Sequence, residues 1–376
     1  MQYKFDDIAI NSIAKRKPTD DDIKTYIGLE HLEAGSLCVT NYGSKVPIKG
    51  EKLLMTKGDI LFGRRNTYLK RAAIAPHDGL FSAHGMILRP KEEVIAKEFF
   101  PFFIGSDYFF DAAIRISVGS ISPTVNWGTL KVLEFMLPSI GEQKKLAKML
   151  WAANEAQNAY KTLLLLTEQI VKSRFVEMFG DPVTNPMGWE TIELGDLTNV
   201  GSSKRIFANE YVNNGIPFYR TKEIVELSQG YPVETKLYIS QERFQTIADE
   251  FGYPKRGDLL VSAVGTIGVI WVIDTEEPFY YKDGNLVLIS KCERIHGLVL
   301  KMILERLIKK HIDSLTAGSA YHALTIIKLK HLSLPLPPLS LQNRFAEFVR
   351  QADKSKFAAQ RQTKIAKFLY NNINGG

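Results

Sequence analysis

Residues 117–131 read SVGSISPTVNWGTLK, and residues 316–330 read TAGSAYHALTIIKLK. Each stretch opens near a small-residue turn, Gly119-Ser120 or Gly318-Ser319, and closes on Leu-Lys. Gly318 follows Gly119 by 199 positions, and the same offset links Leu130 to Leu329 and Lys131 to Lys330. It also links GDIL at 58–61 to GDLL at 257–260, and LPSIGEQKKLA at 137–147 to LPPLSLQNRFA at 336–346. Three blocks share one register, so the chain is a tandem duplication. The period is far longer than the roughly 20–50 residues of a solenoid repeat. It predicts two domain-sized halves related by approximate two-fold symmetry.

Towards the N-terminus the register slips. YIGLEHLEAG at 26–35 matches YRTKEIVELSQG at 219–230 only with an insertion, and FDDIA at 5–9 matches LGDLT at 194–198 loosely. The first part of each half carries short apolar runs broken by Gly and Pro, which predict strands. Short helices are expected over 97–115 and 296–315, the second with an apolar face of Leu300, Ile303, Leu304, Leu307 and Ile308. The fold class is α+β, with a mixed, β-rich sheet in each half.

Each half ends on a long helical signal. From Glu142 to about Phe179 there is neither Pro nor Gly, and Leu146, Met149, Ala153, Ala156, Tyr160, Leu163 and Ile170 step by three or four. That is a coiled-coil seam, on a helix of roughly 57 Å. A second stripe holds Phe345, Phe348, Ala352, Ala359, Ala366 and Leu369. Apolar stripes on isolated helices are marginal in water, so the two helices are expected to pack together, antiparallel, the alternatives being homodimerisation through the stripes or helices that serve only as linkers. The boundaries are then 1–140 and 181–338 for the globular domains, and 141–180 and 339–376 for the helices.

Catalytic signatures are missing. There is no [DNS]-P-P-[YF] methyltransferase motif, no Gly-Lys dipeptide for a P-loop, and no Pro-Asp of the common endonuclease pattern. HExxH, GxSxG and EF-hand loops are absent too. The seven histidines are scattered, and Cys38 and Cys292 form no CxxC. The residues MQYKFDDIAI place charge where a signal peptide needs an apolar core, and no run approaches the roughly 20 apolar residues of a membrane helix. The expectation is a cytoplasmic binding protein with no membrane partner.

The net charge of +7 suits a polyanion. GRRNTYLKR at 63–71 brings Arg64, Arg65, Asn66, Thr67, Tyr68, Lys70 and Arg71 together, the side-chain types that read base edges and hold phosphates. Its register partner, SAVGTIGVI at 262–270, carries no charge, so the halves should contact their ligands differently. Ser262 and Thr266 are its polar members. Other candidates in the second half are Ser202, Lys204, Arg205, Arg220, Lys222 and Lys282. The small-residue turns add Ser117, Gly119 and Ser120, and Thr316, Gly318, Ser319, Tyr321 and His322, whose free amides suit phosphate.

Taken together, KGDILFGRR, RGDLLVSAVGTIG, the stretch from SVGSIS to AKML, and LLLLTEQIVKSRFVEMFGDP resemble the specificity subunit of type I restriction-modification systems. The resemblance covers nearly the whole chain. It implies two target recognition domains, each reading one half of a split double-stranded DNA site, and two antiparallel helices acting as a ruler between them. It implies docking of two methyltransferase subunits and of restriction/translocase subunits, which use S-adenosylmethionine, ATP and Mg. The chain itself would bind no cofactor and catalyse nothing. The competing readings are a scaffold that reads no DNA, and a chain with an unrecognised methyltransferase or nuclease activity. The C-terminal helix departs from the first by ending at NNINGG without an MFGDP stop.

Overall fold

The duplication is visible strand by strand in the computed structural model, which describes residues 1–316 and 323–354. The chain forms two compact units that divide between Leu163 and Leu164. In the first, an antiparallel sheet runs in the order Ala9–Ser12, Met86–Pro90, Ile60–Phe62, Ala72–Ile74. In the second, the matching sheet is Val200–Gly201, Leu286–Ile289, Leu259–Ser262, Ile270–Val272. The GDIL and GDLL blocks supply the inner strands Ile60–Phe62 and Leu259–Ser262, buried along their whole length. A strand covered on both faces reads as a continuous apolar run rather than an alternating one.

The Gly-Asp of each block makes the turn into that strand. Gly58 and Gly257 both sit at φ +93°, where a side chain would be strained. Asp59 and Asp258 are each 7% exposed, and their carboxylates accept from the backbone N–H of Thr56 and Lys255, both at 2.8 Å. A two-stranded sheet also repeats, Gln2–Lys4 with Glu134–Met136 and Thr191–Glu193 with Ser333–Pro335.

The interiors diverge where the register slips. The first unit adds a three-stranded antiparallel sheet of Lys15–Arg16, Lys52–Met55 and Gly79–Phe81. The second has a sheet in the order Tyr211–Val212, Tyr238–Ile239, Ile216–Tyr219, Tyr280–Tyr281, whose last pair is parallel. Where the first unit has the short turn Leu29–His31, the second has the helix Thr221–Ser228. Phe100–Gly105 and Asp107–Arg115 are the short helices of the first unit, and Gly297–Thr316 is the longer one of the second. All five residues of the apolar face expected on the last helix are buried.

A glutamine joins each unit to its helix. Gln143 is 0% exposed, donates to Val94 O at 3.2 Å and Pro138 O at 3.0 Å, and accepts from Ala96 N at 2.8 Å. Gln342, also 0% exposed, donates to Arg294 O at 3.1 Å and Pro337 O at 2.7 Å, and accepts from His296 N at 2.7 Å. Each therefore satisfies three main-chain groups at the helix start, one of them buried and the others half-buried or exposed.

The long helix runs Ile140–Phe179, and its buried face is turned one position from the expected seam. Met149 is 57%, Leu163 42% and Ile170 56% exposed. In the first unit Ala147 and Leu150 are buried instead, and in the second Thr167, Phe175 and Phe179. The physical reason is Gln143: a helix rotated to bury it must also bury the residues four and seven further on. Within the second unit residues 339–354 are helical. Phe345 meets Phe175 and Phe179 with ring centroids 5.6 and 5.5 Å apart, and Arg174 lies 6.0 Å over Phe348. Residue numbers rise on one segment as they fall on the other, so this pairing is antiparallel. Ala359, Ala366 and Leu369 of the expected stripe lie outside the described residues.

One ion pair makes the first unit sensitive to acid. Arg16 grips Asp22 through two 2.7 Å bonds, while Thr19 donates to the same carboxylate from its N–H and hydroxyl. Asp22 is 5% exposed. The Arg16 bonds, opposed by burial and helped by Thr19, hold its carboxyl far below the usual range. A depressed carboxylate contributes stability above its unfolded value, near 3.9, and loses it as the pH falls towards the folded value. Asp22→Asn should lower the unfolding midpoint at pH 7, and its difference from the parent should shrink steadily below about pH 4. An equal difference at pH 7 and pH 2.5 would remove Asp22 from the acid response.

Candidate nucleic-acid interface

In the first unit two stretches far apart in sequence form one surface. The loop after the strand Ile60–Phe62 is tied to the hairpin at 118–124. Asn66 N donates to Pro123 O at 2.7 Å, Val125 N to Arg64 O at 3.0 Å, and Arg65 Nη2 to Ser122 Oγ at 3.3 Å. The hairpin is closed by reciprocal 3.0 Å bonds between Val118 and Thr124. Gly119 turns it at φ +114°, and a Cβ there would lie 3.3 Å from Ser122 O. Asn66 and Lys70 hold left-handed conformations, at φ 53° and 47°. Two such non-glycine residues in one loop mark stored strain, which concentrates at functional sites.

The electrostatics come from three segments. Arg64 and Arg65 lie close enough to the exposed His84, on the loop after Gly79–Phe81, to disfavour its protonation. Partial desolvation first, then Arg65, Arg64 and Lys52, lower its pKa. None of Arg64, Arg65 and Arg71 has an ion-pair partner among the described residues. Arg71 is turned back into the unit, donating to Leu29 O at 2.8 Å. Tyr68 is 55% exposed on the same loop. The scattered histidines gave no sequence signal, so His84 was missed. It falls 199 positions before Asp283, an acidic residue at the same register position.

Several candidates face away from any ligand. Thr67 is 0% exposed and donates to Arg64 O at 2.7 Å. Lys70 is held by Asp107 at 2.6 Å and Asp111 at 2.8 Å, so its charge is already compensated. Ser117 donates to Ile114 O at 2.7 Å. Ser262 is 0% exposed, donates to Thr266 O and accepts from Val269 N at 2.9 Å. Thr316 is 5% exposed at a helix end and donates to Ile312 O at 2.9 Å. These hydroxyls shape loops. Gly318, Ser319, Tyr321 and His322 lie outside the described residues. Ser120 and Thr266 are exposed.

The second unit builds its surface in the same place with other parts. Leu324 N donates to Ala263 O at 3.0 Å, the register equivalent of the bond between Val125 and Arg64. The loop it holds is uncharged, and cations arrive from elsewhere. Ser202 Oγ accepts from Gly284 N at 3.4 Å, Lys204 N donates to Tyr280 Oη at 2.8 Å, and Arg205 pairs with Asp283 at 2.7 Å. Lys282 N donates to Tyr219 O at 2.9 Å, which brings in Arg220 and Lys222. Arg220 pairs with Glu223 at 3.1 Å and Lys222 with Glu226 at 3.7 Å. Lys204 Nζ lies 4.7 Å over the Phe251 ring. Most cations here are paired, and the surface is less positive than that around Arg64.

Among the described residues no group of three or more His, Cys, Asp or Glu could hold a metal ion, and no helix is long and apolar enough to cross a membrane. A family model for the type I restriction modification DNA specificity domain matches the chain twice, over residues 3–163 and 186–368. A putative type I restriction enzyme specificity subunit of Haemophilus influenzae is 34% identical over 161 residues, which is 43% of this chain and 39% of that protein. The putative MjaX specificity subunit of Methanocaldococcus jannaschii is 24% identical over 354 residues, 86% of this chain and 79% of that one. Among solved structures, the type I restriction-modification S subunit from M. genitalium superposes with a TM-score of 0.65 at 12% identity, covering 100% of this chain and 94% of that chain.

Proposed function

The chain belongs to the type I restriction-modification DNA specificity family, and we propose that it reads a two-part duplex site, one part per unit. The observation that carries this reading is the repeated loop anchor. The bonds from Val125 to Arg64 and from Leu324 to Ala263 hold loops of unlike chemistry at the same register position. A duplicated scaffold with different reading loops recognises two different words. In the first unit Arg64, Arg65 and His84 face base edges and phosphates, with Asn66 and Tyr68 beside them. In the second, Lys204, Arg205, Lys282 and the 263–268 loop do so. More of the second unit's cations are paired with acids, so its word depends less on phosphate attraction and therefore less on salt.

In this reading the long helices set the gap between the words and carry two methyltransferase subunits, joined in the full system by restriction/translocase subunits. Those partners supply S-adenosylmethionine, ATP and Mg chemistry in the cytoplasm, and this chain supplies sequence recognition. The test is a methylome. The chain is expressed with its neighbouring modification subunit in a host free of adenine methylation, and modified bases are read by long-read sequencing. The expected result is adenine methylation in two short words at a fixed gap. Methylation in one undivided word, or none from a soluble assembled complex, would sink the reading.

A further inference from the structure

Ile121 is 93% exposed, at the tip of the 118–124 hairpin, and Val118 beside it is 67% exposed. A bare apolar side chain alone implies no occupant; what singles out Ile121 is its place on a hairpin tied to Arg65. The hairpin is not a loose loop. Its own ladder closes it, and three hydrogen bonds fix it to the Arg64–Asn66 segment. Ile121 is therefore carried on the same rigid surface as Arg65, one residue from the serine that Arg65 contacts.

Charge decides between occupants. Neither 117–126 nor 63–68 contains an Asp or Glu, so the apolar tip is bordered by cations and hydroxyls, as a polyanion requires. Two side chains are also far too little apolar surface for a stable protein interface. The major groove of duplex DNA is about 12 Å wide and admits a two-stranded ribbon. The apolar group displayed there is the thymine C5-methyl, and guanine beside it suits an arginine.

We infer that Ile121 is a specificity-determining residue that packs on a thymine methyl in the major groove of the first half-site, beside the base pair faced by Arg65. The inference rests on the proposed DNA-reading function. That function also guarantees the ligand, since a word in which adenine is methylated contains an A·T pair and hence a thymine. The register equivalent of Ile121 is Ala320, a smaller apolar side chain.

The test uses the assembled complex and a duplex carrying the motif that the methylome defines, compared with the same duplex bearing deoxyuridine for every thymine of the first half-site. The parent should bind the uridine duplex about four-fold more weakly, the value of burying one methyl-sized group. Ile121→Ala should lose about the same factor on the thymine duplex, with no further loss on uridine. Equal binding of both duplexes by the parent would overturn the inference. So would an Ile121→Ala loss that is the same on both duplexes, which is the signature of a stacking wedge or a protein contact. Arg65→Ala is the control for the underlying reading. If it weakens binding while Ile121→Ala does not, only the methyl contact fails. If it has no effect either, this surface does not face DNA.

Discussion

Gln143→Leu should destabilise the first unit by about 3–5 kcal/mol. The substitution keeps the side chain's bulk but strands Ala96 N–H at a buried site and Val94 C=O and Pro138 C=O at half-buried ones. Each buried group left without a partner costs about 1–3 kcal/mol, and a domain's whole stability is only about 5–15 kcal/mol. Urea unfolding of the full chain is the measurement, because the midpoint falls in proportion to the lost stability. Trp127 and Trp151 report on the first unit, and Trp189 and Trp271 on the second. The early transition should appear in the first pair alone. Gln342→Leu should reverse the order. A loss below about 1 kcal/mol would mean that the 91–96 segment relaxes to find other partners.

Replacing Arg64 and Arg65 together by alanine should weaken binding to the first half-site by a hundred-fold or more. A well-placed arginine at a guanine discriminates by about 1–3 kcal/mol, and a factor of ten is about 1.4 kcal/mol. The effect should be confined to one word: duplexes altered in the second half-site should lose the same relative affinity as with the parent. The dependence of log affinity on log salt should also flatten by about one to two units as those phosphate-facing charges go. Lys70→Ala is the contrast. Its ammonium is occupied by Asp107 and Asp111, so its loss should be much smaller. Anisotropy titrations with the assembled complex at three salt concentrations check both. A uniform loss on every duplex with an unchanged salt slope would point to a damaged fold instead.

The duplication, the inner strands and the long helix were legible because each rests on a pattern that survives in one dimension: a fixed offset, an apolar run, an interval free of Pro and Gly. The rotation of the helix was not. Counting apolar residues favours Met149 and Ile170, whereas the buried face begins with a glutamine, which such a count ignores. The chemistry of single side chains was also hidden. Lys70 looks free in GRRNTYLKR, and its two aspartates lie 37 and 41 residues away. Thr67 and Ser262 sit among binding-type neighbours, yet their hydroxyls turn inward to main-chain groups. His84 joins Arg64 and Arg65 only because the strand order returns it there. The shared anchor of the two loops was implicit in the common offset of Arg64 with Ala263 and Val125 with Leu324.

Because Gln143 is bolted into one unit, it acts as a detent for the helix that follows. An α-helix turns about 100° per residue. A single inserted residue beyond Gln143 swings every later side chain by that angle, whereas seven residues return the face to within about 20°. Changes in the length of this helix are therefore not graded. Within the first unit, only steps close to whole turns leave Ala147 and Leu150 facing the core they pack against, so length can change there in coarse clicks while the recognition loops remain free to vary.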